Sequence, residues 1–358
     1  MKPKVAIVRT SPQTVLQDIG RAMKMADYES FVPKAFPTIL KINISWHYYY
    51  PACSTTPWQL DGVVGRMRAD GYSSLIPAQN RTVVVDPKLG AANNHLNSVL
   101  KKHGLEFVYL YDPFVEWIKY EPRAEMLVLD KVFKDGIEIP KLLMGKNAFH
   151  LPTMKTHVFT TITGAMKNAF GGLLNENRHW THAVIHETLV DLLRIQKEIH
   201  PGIFCVTDGT IAGEGAGPRA MVPHIKNYIL ASGDSVAVDA VSAKMQGFDP
   251  LSIRFIGLAH ELGLGCGDPR EMEILGEDVE QIDFGFRTGD TIASRGQKAI
   301  YHGPLKPLER MLLRTKFVPW SYAASRAYHD LFWYRTIGRS RVRRVMRTEW
   351  GKLFKQYG

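Results

Sequence analysis

The run Asn147-Ala148-Phe149-His150-Leu151-Pro152-Thr153-Met154-Lys155-Thr156-His157 sets the fold class. Its first five residues read as a core strand. The chain then turns polar and delivers a lysine and a histidine within six residues. A core strand ending in charged groups is the pattern of an open α/β sheet, where ligands gather at the carboxyl ends of strands.

The flanking sequence agrees. Upstream, residues 4–9 and 38–43 read as strands and 14–25 as a helix. A loop over 51–57 leads into a helix near 58–70, with Pro57 suited to its first turn. Short strands are expected near 74–77 and 106–111, with a helix over 91–103 between them. Lys134-Asp135-Gly136 lies between the apolar runs 126–132 and 137–140, which predicts a hairpin. Downstream, helices are expected over 162–170 and 182–200, with Gly171-Gly172 stopping the first. Residues 203–206 and 228–231 read as strands, 234–245 and 251–262 as helices, and 271–275 as a late strand. This alternation predicts an α/β fold, a mostly parallel or mixed sheet flanked by helices. Residues 1–304 would form that core, with a break between two lobes near 120–145, and 305–358 a basic, aromatic-rich helical extension.

Four clusters carry candidate chemistry. The first is Lys155, Thr156, His157, Thr160, Thr161, Thr163, Lys167 and Asn168. Cations and hydroxyls beside a helix start near Thr161 or Thr163 favour an anion such as phosphate or carboxylate. The second is His179, His182 and His186, extended by His150 and His157. On one helix, His182 and His186 are an i, i+4 pair able to share a metal ion. The third is Asp208-Gly209 through Glu214-Gly215-Ala216-Gly217-Pro218-Arg219. Pro218 and Pro223 argue against the helix that a dinucleotide fingerprint needs. This stretch reads as a loop in which Gly215 and Gly217 let the backbone approach a ligand, with Asp208 and Glu214 as acid, base or cation-binding groups. The fourth is Lys41 and Asn43 at a strand end, with Thr55 and Thr56 before a helix.

Charge is unevenly placed. Of 45 Lys/Arg and 35 Asp/Glu in the 358 residues, 13 and 3 fall after residue 304, so the first 304 balance at 32 each. The net charge of +10 therefore belongs to the extension, which makes nucleic acid an unlikely partner for the body. The extension interleaves cations with Phe317, Trp320, Tyr322, Tyr328, Phe332, Trp333, Tyr334, Trp350 and Phe354. Two readings stand open. Its aromatic side packs on the core, or it docks to a membrane surface or an acidic protein. Cys53, Cys205 and Cys266 form no Cys-x-x-Cys pair, so the chain holds no iron–sulfur cluster by itself. With no apolar run of about 18 residues, a cytoplasmic protein, peripheral to the membrane at most, is expected.

Together these pieces resemble the domain-of-unknown-function 362 family. The resemblance rests on Lys41-Ile42-Asn43 with Thr55-Thr56-Pro57, on Leu151 to His157, and on Thr163-Gly164-Ala165-Met166-Lys167-Asn168-Ala169-Phe170-Gly171. It continues through Asp208-Gly209, Glu214 to Pro218 and Ser235-Val236-Ala237-Val238-Asp239-Ala240-Val241, with Gly247-Phe248-Asp249-Pro250 and Gly263-Leu264-Gly265. It implies an α/β fold. Many members carry a fused ferredoxin-type iron–sulfur module, whose cysteines are absent here. The preferred expectation is an enzyme acting on a small anionic metabolite, of unresolved reaction type. Lys155 and Lys167 would hold the anion, Thr156 and Asn168 orient it, and His157 serve as acid or base with Asp208 or Glu214 as partner. The alternatives are a non-catalytic binding or scaffold protein docking through its tail, and a redox or metal-dependent enzyme using a divalent ion at the histidines.

Overall fold

The computed structural model describes residues 2–81, 84–303, 306 and 323–358. The strands are β1 (Lys4–Arg9), β2 (Thr38–Ile42), β3 (Leu75–Gln79), β4 (Val108–Tyr109), β5 (Trp117–Tyr120), β6 (Ile137–Pro140), β7 (Asn147–Leu151), β8 (Thr153–His157), β9 (Thr161–Ile162), β10 (Ile203–Ala216), β11 (Ala220–Ser232) and β12 (Glu273–Gly276). Ten build one mixed sheet in the order β12-β1-β11-β10-β7-β2-β3-β4, with β8 branching off β10 and β9 off β8. The run β10-β7-β2-β3-β4 is parallel. β11 is antiparallel to both β1 and β10.

Side chains alternate across the sheet because the strand period is two. Val5 and Ile7 face one apolar layer with Ile39 and Cys205, while Ala6 and Val8 face the other with Leu40, Phe149 and Phe204. The first layer is covered by helices Ala165–Leu173, Ile185–Ile199, Ser235–Gln246 and Arg254–Glu261, the second by Val15–Met25 and Pro57–Ala69. The chain is thus an α/β protein, as its alternation predicts.

Three local expectations give way. The predicted hairpin around Asp135-Gly136 does not form. Residues Leu129–Val132 coil into a helical turn, and β6 pairs with β5 instead. The buried Asp191 carboxylate decides this by accepting the N–H groups of Leu127, Val128 and Leu129 at 2.8, 2.9 and 3.0 Å. Gly171-Gly172 does not stop its helix, which runs to Leu173. A methyl group at Gly172 would stand 2.8 Å from Lys41 Cε, so the glycine lets the helix lie against that lysine. The stretch from Asp208 to Ala216 is no loop. β10 continues through it and pairs with β11 as far as Ala216–Ala220, past a bulge between Gly209 and Ile211. The turn carrying Gly217, Pro218 and Arg219 sits at the tip of this long hairpin.

The extension packs on the core. Trp46 Nε1 donates to Asp330 Oδ1 at 2.7 Å and Trp350 Nε1 to Asn227 Oδ1 at 2.7 Å. Arg341 donates to the Met221 carbonyl at 2.7 Å. Tyr334 stacks on Tyr48 and Phe354 on Tyr49, with ring centroids 4.3 and 3.9 Å apart. Phe317, Trp320 and Tyr322 lie outside the described residues. Among the described residues, no helix is long and apolar enough to cross a membrane.

Candidate functional site

The carboxyl ends of β2, β3 and β7 open into one cavity of about 280 Å³. Lys41 and Asn43 come from the end of β2, Gln79 from β3, and Lys155 and His157 from β8, which carries β7 onward past Pro152. Lys167 and Asn168 come from the helix Ala165–Leu173, and Arg178, His179 and His182 from the 3₁₀ stretch that follows. The hairpin tip adds Arg219, the helix Ile292–Tyr301 adds Tyr301, and the extension adds Ser325. Phe159, Phe170, His182 and Tyr301 form an aromatic wall, with the His182 and Tyr301 rings stacked at 5.8 Å.

Five cations therefore line this space: Lys41, Lys155, Lys167, Arg178 and Arg219. Among the described residues Glu176 is the single carboxylate on the lining, and it is exposed and paired with Arg81. None of the five cations forms an ion pair among the described residues. Burial without a counter-charge disfavours an ammonium. It pushes Lys41 well below its ordinary value and Lys155 down to about 8. Lys167 falls to about 7, through burial and then the charges of Lys155 and Arg178, and even Arg178 falls to about 10.

Neutral partners hold some of these groups. Lys41 Nζ donates to the Ile42 carbonyl at 2.6 Å and to Gln79. Lys155 Nζ donates to the Cys53 carbonyl and to Thr153 Oγ1 at 2.9 Å. Asn168 Nδ2 donates to the Lys41 carbonyl at 2.9 Å, which ties its helix to β2. His157 Nδ1 accepts from the N–H groups of Phe159 and Thr160 at 3.2 and 3.3 Å. Its proton is therefore assigned to Nε2, and burial together with Lys167 holds the ring neutral. In that state His157 offers the cavity a hydrogen-bond donor; the acid–base role expected of it needs the other tautomer or a second proton.

Several predicted site residues lie elsewhere. Thr156 is on β8, but its hydroxyl donates to the Gly215 carbonyl at 2.8 Å and faces the hairpin. Gly215 and Gly217 do not line the cavity; they shape the hairpin and its tip. Asp208 is buried beneath the sheet. It accepts from Thr56, from Trp58 Nε1 at 3.1 Å and from the Thr210 N–H at 2.7 Å, so it fastens a helix start to β10. Glu214 accepts from His224 Nε2 at 2.9 Å on the far side of the hairpin.

The helix expected to start near Thr161 or Thr163 begins at Ala165, and its N-terminus is already taken. The Asp239 carboxylate accepts from the Ala165 and Met166 N–H groups at 2.7 and 3.0 Å. A side chain at Gly164 would collide with that carboxylate, which explains the glycine. The histidine trio does not converge either. His179 and His182 turn Nδ1 toward the carbonyls of Glu176 and His179, both at 3.0 Å, while His186 stacks on Phe255. Among the described residues, the group of three metal-ligand side chains that does come together is His260, Cys266 and Glu271. There His260 Nδ1 already accepts the Gly267 N–H at 3.1 Å.

Arg178, Arg219, Tyr301 and Ser325 were not expected at the site. Arg219 closed the glycine-rich motif and could have been found there. Tyr301 and Ser325 reach the cavity only through tertiary packing.

An α/β protein with a cationic cleft at its strand ends is the class these features define. The family described as Domain of unknown function (DUF362) matches residues 38–244, more than half of the chain, and the chain belongs to that family. The thylakoid-associated protein sll1697 of Synechocystis sp. is 29% identical over 154 residues, 38% of this chain and 48% of that protein. The chain thus spans about half the length of this curated relative. No solved structure matches it.

Proposed function

We propose that the cavity binds a small organic anion, bearing phosphate or carboxylate, and that the protein is an enzyme acting on it. The observation that carries this reading is the set of five cations that the described residues place on one lining, where their single carboxylate is paired with Arg81. Buried charges are ordinarily paired, because an unpaired one costs several kcal/mol of desolvation. An anion in the cavity supplies the missing partner. Lys155, Lys167 and Arg178 hold its charged end, and His157 Nε2–H donates to it. The aromatic wall accommodates an organic body. Native mass spectrometry of the purified protein tests this directly. A retained small anion, lost in the variant Lys155→Met with no loss of melting temperature, is the expected result. Loss of stability with no change in ligand would overturn it.

A second reading concerns the extension. His329, Asp330 and Trp333 face the core, whereas Leu331 and Phe332 on the same helical segment are 57% and 56% exposed, among the exposed Arg326, Arg335 and Arg339. We propose that this face rests on an anionic lipid surface, at roughly 1 kcal/mol per basic residue near the surface. The name of sll1697, a thylakoid-associated protein, is in keeping with a peripheral membrane role. Co-sedimentation with anionic but not zwitterionic vesicles, lost in Leu331→Asp/Phe332→Asp, is expected. Equal sedimentation with both would refute it.

A further inference from the structure

The three lysines of the cavity are not alike. Lys41 and Lys155 are tied to carbonyl and side-chain oxygens. Lys167 Nζ donates to no group among the described residues; it lines the cavity with its nitrogen 5.3 Å from the centre of the Phe170 ring. An ammonium left without acceptors, beside Lys155 and Arg178, is a poor structural element. A neutral amine in the same place is a good nucleophile, since desolvation and a neighbouring cation are the two means by which proteins activate lysine.

We propose that Lys167 captures a carbonyl group of the bound anion as an imine, so that the ligands of this site are oxo acids or related carbonyl-bearing anions. This rests on the anion-binding reading above and narrows it. The Nζ lone pair attacks the carbonyl carbon. A C–N bond forms as the carbonyl π pair moves to oxygen, which takes up a proton, and nitrogen gives one up. The resulting carbinolamine takes a second proton on its hydroxyl from solvent. The C–O bond then breaks, water leaves, and the nitrogen lone pair completes C=N. The net change is amine plus carbonyl plus one proton to iminium plus water, with no oxidant or reductant. Lys155 and Arg178 already donate to carbonyl and hydroxyl oxygens, and they line the same cavity as the cations left to face the carboxylate. The lowered proton affinity of Lys167 makes the neutral amine available near pH 7.

The test uses the full chain with pyruvate, 2-oxoglutarate and phenylpyruvate in turn, each with cyanoborohydride, followed by peptide mass spectrometry. A reduced adduct concentrated on Lys167, with Lys41 and Lys155 unmodified and yield rising through about pH 7, is expected. The variant Lys167→Arg should lose the adduct while keeping its melting temperature. Adducts spread evenly over surface lysines, or none with any of the three acids, would overturn the proposal. Calorimetric titration of the same oxo acids and their 2-hydroxy counterparts, without reductant, separates the two ideas. Binding without an adduct sinks the imine and leaves the anion site standing; no binding of either sinks both.

Discussion

Replacing Lys155 with methionine makes the ligand-free protein more stable and its ligand binding much weaker. Lys155 is 2% exposed, and burial lowers it to about 8 from an ordinary 10.5. At ~1.4 kcal/mol per pH unit, that gap corresponds to about 3 kcal/mol held against the charged form. Methionine keeps the apolar stem and removes the charge. It also forfeits the donations to Cys53 and Thr153, at ~1 kcal/mol each. The net gain is about 1 kcal/mol at pH 7. Its sign follows from linkage. Below pH 8 the lysine is charged in both folded and unfolded chains, and the folded state bears the full penalty. Between about 8 and 10.5 the folded chain loses its proton first and stability recovers, so the advantage of methionine fades across that window and then reverses. Binding moves the other way, because removing one partner of a buried charge contact costs roughly 2–5 kcal/mol, at least ~30-fold in affinity. Urea unfolding at pH 7 and pH 10, with calorimetric titration of the anion retained on purification, reads both effects. A variant less stable at pH 7 that binds normally would refute the reasoning.

Three more outcomes are expected. Anion binding near pH 7 should take up protons, because the ligand restores the charge that burial strips from Lys167, and should weaken as pH rises through 7–8 and Lys155 also loses its proton; equal binding heats in buffers of different ionisation enthalpy would contradict this. Asp208→Ala should cost ~1–3 kcal/mol by stranding the Thr210 N–H and Trp58 Nε1, yet leave affinity within about twofold, since Asp208 does not touch the cavity; a large loss of affinity without a stability change would restore it to the site. Deleting 323–358 uncovers Trp46, Tyr50 and Trp58 and should yield insoluble or dye-binding protein; a soluble truncation with an unchanged melting temperature would show that the packing contributes little.

The strand ends were legible because their chemistry breaks abruptly. Leu151 to Lys155 passes from core to cation in four residues, and Lys41 stands out in the apolar run of β2. Lys41, Asn43, Lys155, His157, Lys167 and Asn168 do line one cavity, although the sequence spreads them over 128 positions. What failed was local inference about glycine and about helix starts. The glycines of β10 read as a loop, yet they sit in a paired strand. Gly172 reads as a terminator, yet it is a seat for Lys41. The helix beginning at Ala165 looked open to a ligand anion because nothing nearby announces Asp239, 74 residues on, as its counter-charge. The histidines matched a metal spacing, but His179 and His182 lie on a 3₁₀ stretch where their rings meet carbonyls and aromatic neighbours, while His186 stands on the next helix against Phe255.

The link between Trp46 and Asp330 spans 284 residues, and it sets an order of events during synthesis. A nascent chain can lay down β1 to β12 and the cations of the cleft while its last residues are still in the ribosome. The wall that Ser325 contributes, and the cover over Trp46, come only after that. The cleft therefore closes only after the sheet is in place, and a chain stopped short of residue 330 would expose a charged hollow beside bare tryptophan. Any such fragment would be a ready target for quality control.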